Sequence, residues 1–354
     1  MAEAIDIKID KTPKSRIAEV DFSDIKFGRV YSDHMFVADY RDGAWGDFRI
    51  VPYQNLSLSP GCAVIHYGQS VFEGMKAYRT DEGDILVFRP YENFKRINSS
   101  AHRMCIPQVS EEIFMGGLRR LLEIDRDWAP SQPGYSLYIR PVLFATDEYI
   151  GIRPSDNYKF IIFTCPVGAY YSKPVRVKIE TYYARTVEGG TGYAKAAGNY
   201  AGSLFPMVES QKEGYDQLIW TDGRTHQYIE ESGTMNVMFL IDDTLVTAPA
   251  GNTILRGITR DSVLTLARDW GYKVEEKKIT VDEVMDAIRK GKMQEAFGTG
   301  TAATIAHIAS IGFEGKDYEL PPIGERVFSH KALKALDNIK YGRTPDKFGW
   351  TYKI

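Results

Sequence analysis

Long apolar runs are missing from this chain. No segment approaches the roughly 18 consecutive apolar residues that a membrane-spanning helix needs. Residues 1–20 carry charges every few positions around no apolar core, unlike a secretory signal. Cysteine is scarce: Cys62, Cys105 and Cys165 are odd in number and widely spaced, giving neither a CxxC pair nor a disulfide framework. A reducing compartment is expected. The 6 histidines are scattered, with no HExxH-like spacing, so no metal centre is expected. Basic surplus is also lacking. With 44 Lys and Arg against 47 Asp and Glu the net charge is −3, which argues against a nucleic-acid partner. The expectation is a soluble, cytoplasmic protein without membrane partners.

What is present is ordinary globular material. The 354 residues, 44% hydrophobic and 26% charged, can bury a sizeable core and suggest two domains. Tyr135–Ala145 and Tyr158–Cys165, rich in β-branched and aromatic residues, read as strands. Pro90 suits the first position of a helix whose inward face carries Phe94, Ile97, Ala101 and Met104; Arg96 lies off that stripe. Ser110 is a candidate N-cap for a second helix turning Ile113, Leu118, Leu121 and Leu122 inward. A Pro/Gly-containing stretch at 166–174 marks the domain boundary. Beyond it, 175–183, 217–220, 225–229, 234–241 and 244–248 read as strands. A helix over Arg260–Trp270 is ended by Gly271, and Thr280 with Glu283 has capping-box spacing for another that stops at Gly291. Met293–Ala303 is a strand running into a Gly/Thr turn, and no internal repeat or low-complexity segment occurs. Mixed elements in both halves give an α/β class of the α+β type.

Lys195 is the most informative residue. It sits in Glu188-Gly-Gly-Thr-Gly-Tyr-Ala-Lys-Ala-Ala-Gly-Asn-Tyr200, where little side-chain bulk shields the amine. Two readings are open: a solvated lysine in a flexible loop, or a partly desolvated amine that attacks an aldehyde. Ala196 follows it where a Walker A motif needs Ser or Thr, and no GxGxxG follows a strand, so nucleotide folds are excluded. Ile229-Glu-Glu-Ser-Gly-Thr-Met-Asn236 places carboxylates before a small-residue turn, as a pyridoxal cofactor's ring nitrogen requires. Gly257-Ile258-Thr259 precedes a helix and offers a phosphate seat, unless Thr259 is simply that helix's N-cap. Gly298-Thr-Gly-Thr301 is a further small-residue turn. Arg96 is either a solvated helix arginine or an anion ligand. Tyr200, five residues after Lys195, either bonds a cofactor oxygen or packs in the core; Asn199 and Tyr193 are lesser candidates. Tyr138 and Arg140 share one strand face, which suits carboxylate recognition or a structural pairing with an internal acid.

The pattern resembles the branched-chain amino acid aminotransferases, fold-type IV pyridoxal-phosphate enzymes. The resemblance is carried by His66-Tyr67, Val71-Phe-Glu-Gly-Met-Lys-Ala-Tyr78, Val87–Arg96, Leu137-Tyr-Ile-Arg-Pro141, Cys165–Tyr170, Gly189–Tyr200, Glu231–Asn236, Gly257–Arg260 and Phe297–Ala302. These run in the family order over nearly the whole chain. The resemblance implies a smaller N-terminal domain (1–167), an interdomain loop (168–182) and a larger cofactor-binding domain (183–354). It implies pyridoxal 5′-phosphate held as a Schiff base on Lys195, which also moves the proton at Cα. Glu231, rather than Glu230, then faces the pyridine nitrogen, because the two point oppositely on a strand. Tyr200 lies near the 3′-oxygen, Arg96, Ile258, Thr259 and Thr301 form the phosphate cup, and Arg185 supports it. Thr234 joins both the cofactor and substrate sets. Thr301, Ala302 and Tyr138 surround the substrate carboxylate, and Arg140 takes the distal carboxylate of glutamate. Phe27, Tyr67, Phe72, Ile152 and Tyr170 line an apolar pocket. Tyr138 and Ile152 reach across from the second subunit of a homodimer.

The implied reaction moves the amino group of leucine, isoleucine or valine to 2-oxoglutarate. The competing readings are a D-amino acid aminotransferase or aminodeoxychorismate lyase on the same fold, which are usually shorter, and a non-catalytic pyridoxal-phosphate-binding protein, which should have lost Lys195 or the carboxylate. Animal members carry a CxxC pair after the FGxGTA turn; Ala303 and Ala306 stand there, so thiol regulation at that place is excluded.

Overall fold

Two long strands, Ser136–Ala145 and Tyr158–Val167, pair antiparallel along their length at the centre of the first sheet. They belong to a computed structural model that describes residues 5–168 and 173–354. The sheet has nine strands, in the order Lys8–Ile9, Ala44–Pro52, His34–Arg41, Tyr158–Val167, Ser136–Ala145, Met75–Arg79, Ile85–Phe88 and Thr351–Lys353, with Ser70–Phe72 also on Ser136–Ala145. Helices Pro90–Arg103 and Glu111–Ile124 accompany it. Pro90 occupies the first turn as expected, and the Ser110 hydroxyl accepts from the Ile113 N–H at 3.3 Å. Ile113, Leu118, Leu121 and Leu122 are buried with Phe36, Phe114 and Phe160 in the core. Gly117 stands mid-helix because a Cβ there would lie 2.6 Å from the Phe36 ring.

In the second unit, six strands close on themselves. Ile229–Ser232, Gln217–Thr221, Val175–Ile179, Thr304–Phe313, Met293–Gly300 and Met235–Ile241 pair in that order, and Met235–Ile241 pairs back to Ile229–Ser232. Closure leaves no open edge in the ring, and Val177, Ile219, Val237, Phe239 and Ile308 fill a core. The Thr280 capping box forms in both directions, and Gly271 and Gly291 adopt φ of 78° and 66° past their helices.

The structure corrects two strand expectations. Residues 225–228 are not a strand. The Asp222 carboxylate accepts the backbone N–H groups of Arg224, Thr225, Gln227 and Tyr228, which takes them away from any ladder. Those bonds hold the Asp222 carboxyl down at about 2, against the cost of its burial. The strand from Val175 stops at Ile179, because Glu180 Oε1 collects the N–H groups of Tyr182 and Tyr183. The division into units is not linear in sequence. The first comprises 5–168 with Ala194–Gly198 and Asn338–Ile354; the second comprises 173–193 and Asn199–Asp337. Ala196 bridges to Val71, and Thr351–Lys353 extends the first sheet beside Ile85–Phe88.

Candidate active site

In the first unit the segment bearing Lys195 is pinned by its backbone. Its N–H donates to Ser100 Oγ at 2.9 Å, and its carbonyl accepts the Phe72 N–H at 3.1 Å. Lys195 Nζ lies 4.8 Å from the Phe72 ring centroid, and Arg140 Cζ lies 4.6 Å from the same centroid. An aromatic face attracts both cations without neutralising either. Arg140 Nη2 donates to the Tyr138 hydroxyl at 3.0 Å, while its buried Nε has no hydrogen-bond partner among the described residues. Among the described residues Arg140 has no carboxylate partner. Tyr138 is 7% exposed, edge-on to Phe27 at 5.0 Å, and a Cβ on Gly74 would come within 2.1 Å of its hydroxyl. Gly74 is thus what lets the phenol occupy its place. Residues of its own unit enclose Tyr138. Ile152 is 95% exposed. Cys165 is the cross-strand neighbour of Tyr138; burial pushes its thiol up to about 11, so it is a poor nucleophile.

Arg96 is neither solvated nor unpartnered. Its Nε and Nη2 contact Glu73 Oε1 and Oε2 at 2.6 and 2.8 Å, a two-point pair. Glu73 is 0% exposed and also accepts from Asn93 Nδ2 at 2.7 Å and from the Gly74 N–H at 3.1 Å. Burial alone would push its carboxyl up; the Arg96 guanidinium, followed by the Lys195 charge and the Asn93 amide, holds it below the usual range. Sequence reasoning gave Glu73 and Asn93 no role. A signal existed, since Asn93 and Arg96 are three apart on one helix and share a face.

In the second unit Glu231 is 4% exposed. Its Oε1 accepts from Asn236 Nδ2 at 3.1 Å and from the Leu255 N–H at 3.0 Å. Its Oε2 lies 3.0 Å from Arg185 Nε, an ion pair too bent to be a linear hydrogen bond. Arg185 Nη2 donates to the carbonyls of Gly192 and Thr253. Glu231, Asn236 and Thr299 lie side by side across three paired strands, and Thr299 Oγ1 is buried without a partner among the described residues. The sequence reading passed over Thr299, although it alternates with Thr301. Glu230, on the other side of its strand, is also buried, so the strand hides both carboxylates.

Gly257, not Thr259, is the N-cap of the helix Ile258–Asp269, and no side chain caps it. Ile258 and Thr259 therefore occupy the first two helical positions. A Cβ on Gly257 would lie 1.9 Å from Asn236 Oδ1, so this helix start and the Glu231 cradle share one close contact. Thr301 and Ala302 form the half-buried turn between Met293–Gly300 and Thr304–Phe313. Thr234 is exposed in the hairpin after Gly233, whose φ is 57°. Tyr200 is half-buried on the short helix Ala197–Ala201, and Tyr67 is exposed. Tyr170 lies outside the described residues. Among the described residues, no group of three His, Cys, Asp or Glu could hold a metal, and no helix is long and apolar enough to cross a membrane.

Comparison with known proteins gives a consistent result. The amino-transferase class IV family matches residues 70–311. Branched-chain-amino-acid aminotransferase 2 of Bacillus subtilis (strain 168) is 43% identical, over 99% of this chain and 97% of its own length. Among solved structures, the branched-chain aminotransferase of Thermoproteus uzoniensis with norvaline aligns at a TM-score of 0.74 and 26% identity, covering 90% of this chain and 99% of that one. A second branched-chain amino acid aminotransferase, solved with pyridoxamine 5′-phosphate, aligns at a TM-score of 0.73 and 26% identity, covering 90% of this chain and 97% of that one.

Proposed function

The chain belongs to the class IV aminotransferases and, within them, to the branched-chain-amino-acid aminotransferases, and we propose on that basis how its own residues divide the work. The reaction is the reversible transfer of the amino group of L-leucine, L-isoleucine or L-valine to 2-oxoglutarate, giving a branched 2-oxo acid and L-glutamate. Pyridoxal 5′-phosphate would supply the electron sink that lets an amino acid lose its Cα proton. Lys195 would hold the cofactor through its aldehyde, and its Nζ would move the proton at the substrate Cα. Glu231, its carboxylate fixed by Arg185, Asn236 and the Leu255 N–H, would hold the ring nitrogen and keep it protonated. Tyr200 would bond the 3′-oxygen. The first N–H groups of Ile258–Asp269, with Thr259, Thr301 and Arg96, would hold the phosphate, and Thr234 would border the cofactor and the substrate. The uncapped helix start supports this seat, because such a terminus favours an anion.

The observation that carries the substrate reading is the Phe72 ring with Lys195 Nζ at 4.8 Å and Arg140 Cζ at 4.6 Å. One apolar wall thus adjoins both the reacting amine and a cation whose buried Nε has no partner among the described residues. Phe27 and Phe72 receive an isobutyl group, while Arg140 at the rim receives the distal carboxylate of glutamate. Tyr138, with Thr301 and Ala302, holds the carboxylate common to all substrates. Tyr67 completes the pocket. Ile152 enters from the second subunit of a homodimer, as the exposure of Tyr149, Ile150 and Ile152 on one loop supports. The protein works in the cytoplasm. Borohydride treatment of the yellow protein followed by peptide mapping tests the reading. The cofactor should be fixed to the peptide containing Lys195, and Lys195→Ala should abolish turnover. Labelling at another lysine with Lys195 unmodified refutes it.

A further inference from the structure

Resting on that reading, we propose that Glu230 is a positioning residue for the cofactor seat, acting through the Thr253 hydroxyl on the strip Thr253–Leu255. Glu230 is 7% exposed, and its Oε1 accepts from Thr253 Oγ1 at 2.5 Å. Its Oε2 is buried and has no hydrogen-bond partner among the described residues. A buried polar atom left unsatisfied is unfavourable to the fold, so the residue's use lies in what its other oxygen holds.

That oxygen holds one end of a strip fastened at four places. The Thr253 hydroxyl goes to Glu230, and the Thr253 carbonyl accepts from Arg185 Nη2. Two residues on, the Leu255 N–H donates to Glu231 Oε1 at 3.0 Å, and the Leu255 carbonyl accepts from Asn236 Nδ2 at 3.0 Å. Successive side chains of a strand point to opposite faces. The neighbouring glutamates of Ile229–Ser232 therefore grip the same strip at two points, Glu230 at its start and Glu231 at its end. The strip leads through Arg256 into Gly257, where the missing Cβ admits Asn236 and the helix Ile258–Asp269 begins. A single stretch of backbone thus sets the Glu231 carboxylate and the start of the phosphate-binding helix together. Burial first, then the nearby charges of Glu231 and Asp222, push the Glu230 carboxyl up against the pull of Thr253 and Arg185. Gln at 230 would keep an acceptor for the Thr253 hydroxyl.

The test is the dissociation constant of pyridoxal 5′-phosphate, read from cofactor absorbance, in the full-length protein and its variants. Thr253→Val and Glu230→Met should each weaken binding by about 10-fold, the equivalent of one net hydrogen bond. The double variant should lose about as much as either single one, because both remove the same link. Thr253→Ser and Glu230→Gln, which keep donor and acceptor, should stay within about 2-fold of the parent. Wild-type affinity in Thr253→Val, or losses that multiply to about 100-fold in the double variant, would overturn the proposal. So would a lowered melting temperature with affinity unchanged. If Glu230→Met does not fold, Thr253→Val against Thr253→Ser decides alone. A parent protein that binds no pyridoxal 5′-phosphate refutes the proposed function itself; a parent that binds it while the variants match it refutes only this inference.

Discussion

Glu231→Gln separates the chemical from the structural work of one carboxylate. Both groups that bond Glu231 Oε1, the Asn236 amide and the Leu255 N–H, would be met equally well by a glutamine oxygen. Held that way, the new amide turns its NH2 toward Arg185 Nε, where Glu231 Oε2 now stands at 3.0 Å. Arg185 then loses its anion inside a buried site. Breaking such a pair typically costs about 3–5 kcal/mol. The carbonyls of Gly192 and Thr253 still accept from Nη2, which places the loss near the lower end, about 3 kcal/mol. The variant should therefore fold but melt several degrees lower. Turnover should fall further than stability does. Removing a group that stabilises developing charge costs on the order of 10²–10³ in rate. Single-turnover absorbance with leucine measures the rate, and a thermal melt measures the stability. Glu230→Gln is the control and should change neither by much. If that control loses more activity than Glu231→Gln, the carboxylate at the ring nitrogen has been misassigned.

Two further outcomes follow from the geometry. Arg140→Met should slow the half-reaction with glutamate by about 10- to 100-fold, the equivalent of one charge-assisted hydrogen bond of roughly 1.5–3 kcal/mol, while leucine loses little. Equal losses with both substrates would make Arg140 a general carboxylate group. His307 is held at about 4, by burial first and then by the charges of His330 and Arg326, with Glu295 opposing. The His330 ring stands 4.6 Å away and the Ser329 hydroxyl lies 3.3 Å from Nδ1. Since the folded value lies below the unfolded one of about 6.5, the unfolded chain takes up the proton first. Stability present above pH 6.5 should thus be lost progressively as the pH falls toward 4, by on the order of 1–3 kcal/mol. Urea midpoints between pH 7.5 and 4.5 should fall less steeply in His307→Gln; an unchanged slope would show that other groups govern the acid limb.

The sequence determined what depends on neighbours along the chain. Pro90, the Ser110 cap, the Thr280–Glu283 box and the terminating Gly271 all report helix ends, because caps act within a few residues. Strand alternation placed Tyr138 and Arg140 on one face, and the hydroxyl-to-guanidinium bond is the result. Tertiary structure decided whatever links distant segments. Glu73 and Arg96 are 23 residues apart and form a buried two-point pair that no local period announces. Residues 225–228 have strand-like composition, yet Asp222 captures their amides first. Ring closure through Ile229–Ser232 aligns Glu231, Asn236 and Thr299, although Thr299 lies far along the chain from the other two. Lys195 follows the second unit's Tyr193 in sequence, yet its backbone belongs to the first. Residue types and spacings can nominate a lysine, a carboxylate and a helix start. Only the pairing of remote backbones fixes which atoms of each are held, and by what.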